Sequence, residues 1–209
     1  MAETMMVPRI ERFADVRDSF PLDHRIAHQN WTRYPEVPAV SFAVAWNEER
    51  LYLRYEVIED EIVANVTEEQ GPVFRDCCVE AFLMPPGSDV YTNIECNILG
   101  RCLVARGTGR HGRTPVADSE SAVRRHSSYR PGETKPIDGR YRWSVTLDVS
   151  LEVFAIAVPR DLTGQTWRAN FYKCGDALTR PHYLSWSPID WATPDFHRPE
   201  FFGEIVFAR

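Results

Sequence analysis

The stretch VSFAVAWNEERLYLRYEVI, residues 40–58, indicates the fold class more directly than any other part of the chain. Residues 40–46 are almost entirely apolar, as in a buried strand, and the polar residues 47–50 form a short turn. Beyond the turn, Leu51, Leu53, Tyr55 and Val57 occupy every second position. Because side chains alternate along a strand, these four share one face. The stretch therefore predicts a β-hairpin with one buried face.

Further strand signals follow at short intervals. They lie at residues 77–84, 92–99, 101–105, 143–149, 167–174, 182–186 and 202–207, and Pro85-Pro86-Gly87 ends the first of them. We expect about eight to ten strands and no long helix, which favours an all-β, antiparallel β-sandwich of the jelly-roll or immunoglobulin-like type. At 209 residues, one such domain accounts for residues 1–209.

Two regions lie outside this regular pattern. Residues 1–39 are predicted to form an N-terminal extension that packs on the sandwich. Residues 106–142 are rich in Gly, Pro, Ser and Arg and predict a long irregular excursion with one strand near residues 123–127. Within it, Arg106-Gly107-Thr108-Gly109-Arg110 lacks the strand–loop–helix setting of a phosphate cradle and is interpreted as a flexible turn. Residues 151–154 are consistent with a single helical turn.

The composition excludes some classes of partner. The net charge is −6, whereas a nucleic-acid-binding protein needs a basic face. No apolar run has the length of a membrane-spanning segment. Aromatic residues make up 12% of the chain, which suits both a sandwich core and stacking on sugar rings.

Cysteine and histidine positions indicate neither a cofactor nor a metal. The five cysteines are odd in number and contain no CxxC pair, which predicts buried free thiols in a reducing compartment. No cofactor is therefore expected; structural calcium stays open as an alternative, although no dense Asp/Asn loop indicates it. Residues 1–12 lack the apolar segment of a signal peptide. The expected location is cytoplasmic by default, and secreted or periplasmic if a signal was removed.

Polar side chains fall in rows on three predicted strands. Residues 91–97 place Asn93, Glu95 and Asn97 on one face, opposite three apolar positions. On the strand 77–83, Glu80 lies opposite the apolar face, and on 167–174 a further row is formed. If these strands are adjacent, one sheet face presents a polar set: Glu80, Asn93, Glu95, Asn97, Asn170 and Tyr172.

Such a face has the chemistry that sugar recognition needs. Carboxylate, amide and guanidinium groups pair with sugar hydroxyls, and aromatic rings contact the C–H side of a sugar ring. The alternative is a merely solvated face, which is common in antiparallel sheets. Three Asn and two Glu favour the binding hypothesis, because Asn is a poor strand former.

A family resemblance supports the binding hypothesis. FRDCCVEAFL at residues 74–83 resembles the aromatic-x-Asp-Asp/Ser-x-Val-Glu-x-Phe segment of carbohydrate-binding modules of family 9 and their CBM9-like and DOMON-like relatives, with Cys77 in place of the Asp or Ser. Other segments are similar in the same order, across roughly residues 40–207. They are Trp46-Asn47 before Leu51-Tyr52-Leu53, YTNIECN at 91–97 before Gly100, WRANFYK at 167–173, and the closing residues 186–203.

The resemblance implies a sandwich that holds a sugar, often a terminal one, between two aromatic rings above polar residues. By position, Phe74 stands where better-studied modules have Trp, and Phe196 is the second ring, with Trp191 as its substitute. Glu80 matches the polar anchor, whereas Glu95 is acidic where the family has a basic anchor. The resemblance thus implies non-catalytic carbohydrate binding linked to glycan metabolism.

Two rival functions stay open at this point. Glu80 and Glu95 have the residue types of a glycosidase carboxylate pair, although paired Glu on a sheet face more often hydrogen-bond neighbours. A structural or protein-interaction module associated with a glycoside hydrolase is the other alternative. If Phe74 and Phe196 line an open cleft above the polar row, sugar binding is favoured; if they are buried under other residues, the interaction module is favoured.

Overall fold

The computed structural model describes residues 2–11 and 20–209 of the chain. It consists mostly of β-strands, which we number in chain order. They are β1 Thr4–Val7, β2 His24–Arg25, β3 Ala39–Trp46, β4 Arg50–Glu59, β5 Cys78–Met84, β6 Tyr91–Asn97, β7 Cys102–Gly107, β8 Thr114–Pro115, β9 Val123–Ser127, β10 Tyr141–Ser150, β11 Thr166–Cys174, β12 Tyr183–Ser185 and β13 Gly203–Phe207. Within the described residues, one short helix, Ser119–Ala122, and three 3₁₀ turns, Val73–Arg75, Leu151–Val153 and Pro199–Phe201, connect them.

The strands form two sheets, which confirms the predicted sandwich. The larger sheet has the order β1-β13-β11-β5-β6-β7-β8, and β12 pairs with β11 at its side. The smaller sheet has the order β2-β3-β4-β10-β9. Strand pairing is antiparallel except between β1 and β13, which run parallel. Within the described residues, no helix is long and apolar enough to cross a membrane.

The core lies between the two sheets and is built from alternating positions of both. Leu51, Leu53, Tyr55 and Val57 are fully buried on the inner face of β4, as the hairpin pattern predicts. Facing strands add large side chains to the same cluster, among them the buried Trp167 of β11. Because each buried side chain of this size contributes about 1.5–3 kcal/mol, this layer is the main source of stability.

The N-terminal region is part of both sheets. β1 extends the larger sheet by pairing with β13, and β2 extends the smaller sheet by pairing with β3. The hydrophobic pattern did not reveal these strands, because they are short and pair with distant parts of the chain. Met1 and residues 12–19 of the predicted extension lie outside the described residues.

The predicted excursion is more regular than its composition indicates. It contains β8, the helix Ser119–Ala122 and β9, which has the predicted bounds of Val123–Ser127. The helical turn expected near residues 151–154 is a 3₁₀ turn, Leu151–Val153. The first part of the excursion runs along the edge of the larger sheet, since β8 pairs with β7.

The outer face of the larger sheet is covered rather than solvated. A second apolar cluster packs on it, with Phe82, Tyr91 and Tyr172 contributed by the strands. Ile189, Phe196 and Phe202 are contributed by the segment that follows β12. The polar row on this face is therefore buried, and the residues that cover it bound a cavity.

Candidate functional site

A cavity of about 190 Å³ opens on the outer face of the larger sheet, above the centre of β5 and β6. Since a water molecule in the liquid takes about 30 Å³, the cavity has room for about six waters, or for one compact polar ring. Strands contribute its floor, and four loop or turn regions contribute most of the rest. The lining residues are Phe74, Glu80, Glu95, Arg110, Arg113, Cys174, Asp176, Tyr183, Pro194, Asp195, Phe196 and His197.

Two glutamates from neighbouring strands form the floor. Glu80 of β5 and Glu95 of β6 are direct partners in the antiparallel register, and both side chains are almost completely buried. Cys174 donates its thiol to Glu80 Oε1 at 3.1 Å. Asn93 donates its amide to Glu95 Oε1 at 3.0 Å. The polar rows could form one face only if the strands that carry them are adjacent, and β5 and β6 are adjacent. Their pairing puts the carboxyl groups of Glu80 and Glu95 side by side.

Burial, together with the closeness of the two carboxyl groups, favours the protonated forms of the glutamates on the floor. The pKa of Glu80 is raised well above its ordinary value, first by burial and then by the nearby Glu95. Burial also raises the pKa of Glu95 to about 7, although Arg113 and the hydrogen bond from Asn93 act in the opposite direction. A carboxyl that is protonated can donate as well as accept a hydrogen bond. The floor can therefore donate hydrogen bonds to the hydroxyl groups of a ligand as well as accept hydrogen bonds from them.

Both predicted clamp rings, Phe74 and Phe196, line the cavity, although Phe196 is only 8% exposed. Phe74 is partly exposed and lies within the 3₁₀ turn Val73–Arg75. Phe196 stacks on Tyr172 with ring centroids 4.1 Å apart and planes inclined by 7°. The Tyr172 hydroxyl also donates to the Phe196 carbonyl at 3.1 Å. Phe196 is therefore held in place from below.

Basic groups reach the cavity from the excursion. Arg113 lies 3.6 Å from a carboxylate oxygen of Glu95, and Arg110 lies 3.2 Å from Asp195. The interpretation of residues 106–110 as only a flexible turn is therefore incomplete, because Arg110 lines the cavity. The family's basic anchor is missing from β6 at Glu95, and these two arginines place positive charge next to that position from a different part of the chain.

His197 completes the rim in its neutral form. Burial and the neighbouring Arg113 and Arg110 lower the pKa of His197 to about 3. Its Nδ1 lies 2.8 Å from the Tyr91 hydroxyl, and its Nε2 lies 2.8 Å from Arg113. The ring contacts Phe82 with centroids 4.8 Å apart. The imidazole thus joins Arg113 to the aromatic cluster on the sheet.

Comparison with known protein families agrees with the geometry of this cavity. The family model described as carbohydrate-binding family 9 matches residues 20–207. The chain belongs to carbohydrate-binding family 9. The predicted membership and the predicted carbohydrate-binding function are therefore confirmed at the level of the family.

Solved structures place the family 9 chain among similar folds. A candidate carbohydrate-binding protein from Bacteroides uniformis is 33% identical, with a TM-score of 0.88 over 99% of this chain and 100% of that chain. A family 9 module from Caldicellulosiruptor kristjanssonii in complex with glucose is 12% identical, with a TM-score of 0.67 over 99% of this chain and 97% of that chain. A family 9 module from the same organism in complex with cellotriose is 10% identical, with a TM-score of 0.59 over 99% of this chain and 94% of that chain. No curated protein matches the chain.

Three predicted site residues of the family 9 chain are buried and contact other parts of the protein, and they do not line the cavity. Asn97 donates to Asp76 at 2.8 Å and holds the loop before β5. Asn170 donates to the Ser187 carbonyl at 3.0 Å and thereby holds the covering segment. Tyr172 is fully buried beneath Phe196. Strand periodicity placed these side chains on the correct face, but it does not show which part of a face stays open.

Asn93 and Trp191 also lie outside the lining. Asn93 contacts the floor indirectly, through its hydrogen bond to Glu95, and its Oδ1 has no hydrogen-bond partner among the described residues. Trp191 is 44% exposed, and the Arg198 guanidinium stacks on its ring at 3.4 Å. Of the two alternatives for the second ring, Phe196 is the one that lines the cavity.

Several lining residues were not predicted. Arg110, Arg113, Cys174, Asp176, Tyr183, Pro194, Asp195 and His197 all contact the cavity. The density of Arg and Gly in residues 106–113 was the available signal for the first two. Asp195 and His197 flank Phe196 in the closing segment of the family resemblance, so adjacency to a predicted ring was the signal for them.

Proposed function

We propose that this family 9 module binds one sugar unit, free or at the end of a glycan, in the cavity above Glu80 and Glu95, without converting it. The observation that carries this proposal is the convergence of two aromatic rings with buried carboxyl groups and arginines on one small cavity. Such a mixture of apolar surface and a few convergent polar groups is typical of small-molecule sites.

The lining offers complementary contacts to a sugar. Phe74 and Phe196 supply apolar surface for the C–H groups of the ring. Glu80 and Glu95 supply paired oxygens for hydroxyls, and Arg113 supplies N–H donors next to them. Because the floor is buried, each hydrogen bond that a ligand fails to make costs about 1–3 kcal/mol, which favours a ligand with several hydroxyls.

The size of the cavity supports recognition of a single unit. A volume of about 190 Å³ leaves little room beyond one ring. We therefore expect a matching monosaccharide to bind nearly as tightly as oligosaccharides that end in the same sugar. A much tighter oligosaccharide complex would indicate binding along a chain, on surface outside this cavity.

The environment of the glutamates favours binding over catalysis. A glycosidase requires carboxyl groups that are free to act on the scissile bond. Here both carboxyl groups already accept a hydrogen bond from a neighbouring side chain, Glu80 from Cys174 and Glu95 from Asn93. Membership of a family of binding modules supports the same conclusion.

Calorimetric titration with a panel of mono- and oligosaccharides, with product analysis of the same samples, tests the proposal. For a sugar that binds, Phe74→Ala should weaken affinity by about 1–3 kcal/mol, which is about 5- to 150-fold. Trp191→Ala is the matched control, because this exposed ring does not line the cavity, and it should leave affinity unchanged.

Three outcomes would contradict the proposal. Equal affinity of Phe74→Ala and the unaltered chain would remove the ring from the site. Released product would assign Glu80 and Glu95 catalytic roles. Absence of heat with every sugar, from a folded sample, would favour a protein-interaction module associated with a hydrolase.

A further inference from the structure

Two cysteines that are 96 positions apart meet at the edge of the cavity floor. Cys78 of β5 and Cys174 of β11 are direct partners in the antiparallel register, and both are buried. Glu80 lies two residues after Cys78, so its side chain projects from the same face. The two sulfur atoms and one Glu80 carboxylate oxygen all lie within 4.8 Å of one another.

We propose that Cys78, Glu80 and Cys174 bind one thiophilic divalent cation, with Zn²⁺ as the best match. Zn²⁺ takes thiolate sulfur at about 2.3 Å and carboxylate oxygen at about 2.0–2.2 Å in tetrahedral sites. Those lengths place the sulfur and oxygen ligand atoms about 3.5–3.8 Å apart. The Cys174 sulfur and Glu80 oxygen already lie 3.1 Å apart, so small side-chain rotations complete the set.

The surroundings suit an ion with one open coordination position. Glu80 and Cys174 both line the cavity, and therefore water or a small ligand can reach the fourth position from there. Glu95 is the register partner of Glu80 and adds a second carboxyl group on the other side. On binding, Zn²⁺ displaces the two thiol protons and the Glu80 carboxyl proton, which all leave to solvent, and the two thiolates and the carboxylate carry one negative charge more than the ion neutralises.

A second cysteine pair provides the internal comparison. Cys96 of β6 and Cys102 of β7 are also register partners and are also fully buried. They point into the core between the sheets, among apolar side chains. Neither lines the cavity. Two adjacent thiols are therefore not sufficient; the carboxylate and the access from the cavity distinguish the proposed site.

The test uses the full chain stripped with a chelator under reducing conditions and then titrated with Co²⁺ and Zn²⁺. Co²⁺ bound by thiolates gives intense sulfur-to-metal charge-transfer absorption, which reports the ligands directly. We expect one Co²⁺ per chain with this absorption, displacement by Zn²⁺, and one retained Zn²⁺ after desalting. No sugar is needed, so failure here is distinguishable from failure of sugar binding.

Variants decide whether these three residues are the ligands. Cys174→Ser should abolish the charge-transfer absorption, whereas the matched control Cys102→Ser should retain it. If Cys174→Ser does not fold, the near-isosteric Glu80→Gln provides the second test and should weaken Zn²⁺ binding at least tenfold. Absent thiolate absorption in the unaltered chain, or equal metal binding by the Cys174 and Cys102 variants, would overturn the proposal.

Discussion

Lys173 offers the sharpest test of how the two sheets are joined. It projects from β11 into the interior, where its side chain is completely buried. Its ammonium lies 2.9 Å from Glu59 Oε2, on the opposite sheet, and 2.9 Å from His182 Nε2. It also donates to the Cys174 carbonyl at 2.9 Å. Trp143 donates its indole N–H to the other Glu59 oxygen at 2.5 Å.

The variant Lys173→Met keeps most of the side-chain volume and removes the charge. It leaves Glu59 buried without its cationic partner, and breaking a buried pair in this way costs about 3–5 kcal/mol of unfolding free energy. That is a large part of the roughly 5–15 kcal/mol by which a domain is stable. Adding Glu59→Gln removes the stranded charge while keeping the acceptor for Trp143, so the double variant should lose less than the sum of the single losses.

Urea unfolding followed by tryptophan fluorescence measures these free energies. The control is Lys135→Met, since Lys135 is the only other lysine of the chain and is exposed. The urea midpoint of this control should equal that of the unaltered chain. In all variants the unfolding free energy should depend on urea concentration with the same slope as in the unaltered chain. The buried-pair reasoning would be refuted if Lys173→Met lowered the free energy of unfolding by less than about 1 kcal/mol. It would also be refuted if the losses of the Lys173→Met and Glu59→Gln single variants summed to the loss of the double variant.

Two further predictions concern stability. Burial and the adjacent Lys173 lower the pKa of His182 to about 2. The unfolded chain therefore binds a proton below about pH 6.5 that the folded chain rejects, and stability should fall by about 1.4 kcal/mol per pH unit from this residue alone as the solution is acidified. His182→Gln should remove that part of the slope in urea unfolding at pH 7, 6 and 5, and an unchanged slope would contradict it. Gly203→Ala places a Cβ 2.5 Å from the Glu3 carbonyl oxygen and 2.7 Å from the Trp186 ring, so it should cost about 1–3 kcal/mol in the same assay. Gly109→Ala, with nothing within 4 Å, is the neutral control, and equal midpoints for the two variants would contradict the predicted clash.

The sequence predicted most of the strands that carry the site. Hydrophobic alternation works for β4 and β6 because each strand has one face in the core, and the pattern is a local property of the chain. The very short strands β1, β2 and β8 escape such a pattern, since two to four residues are too few to show a period. β1 depends on a partner at the other end of the chain, β13, whereas β2 and β8 pair with the nearer strands β3 and β7.

The residues of the candidate site also fall into those that the sequence predicted and those that it did not. Alternation put Glu80 and Glu95 on one sheet face, and the family resemblance identified Phe74 and Phe196 as the rings. Both rings and both glutamates line the cavity. Their role in sugar binding stays a prediction, which the titrations above test.

Only the tertiary structure decided which part of that face stays open and what reaches it. Periodicity identifies the face of a strand but not its covering, so the burial of Asn97 and Asn170 could not be foreseen. The approach of Arg113 to Glu95 and the pairing of Cys78 with Cys174 join segments far apart in the chain. Such contacts arise from strand order and loop packing, which depend on the free energy of the whole fold rather than on any local pattern.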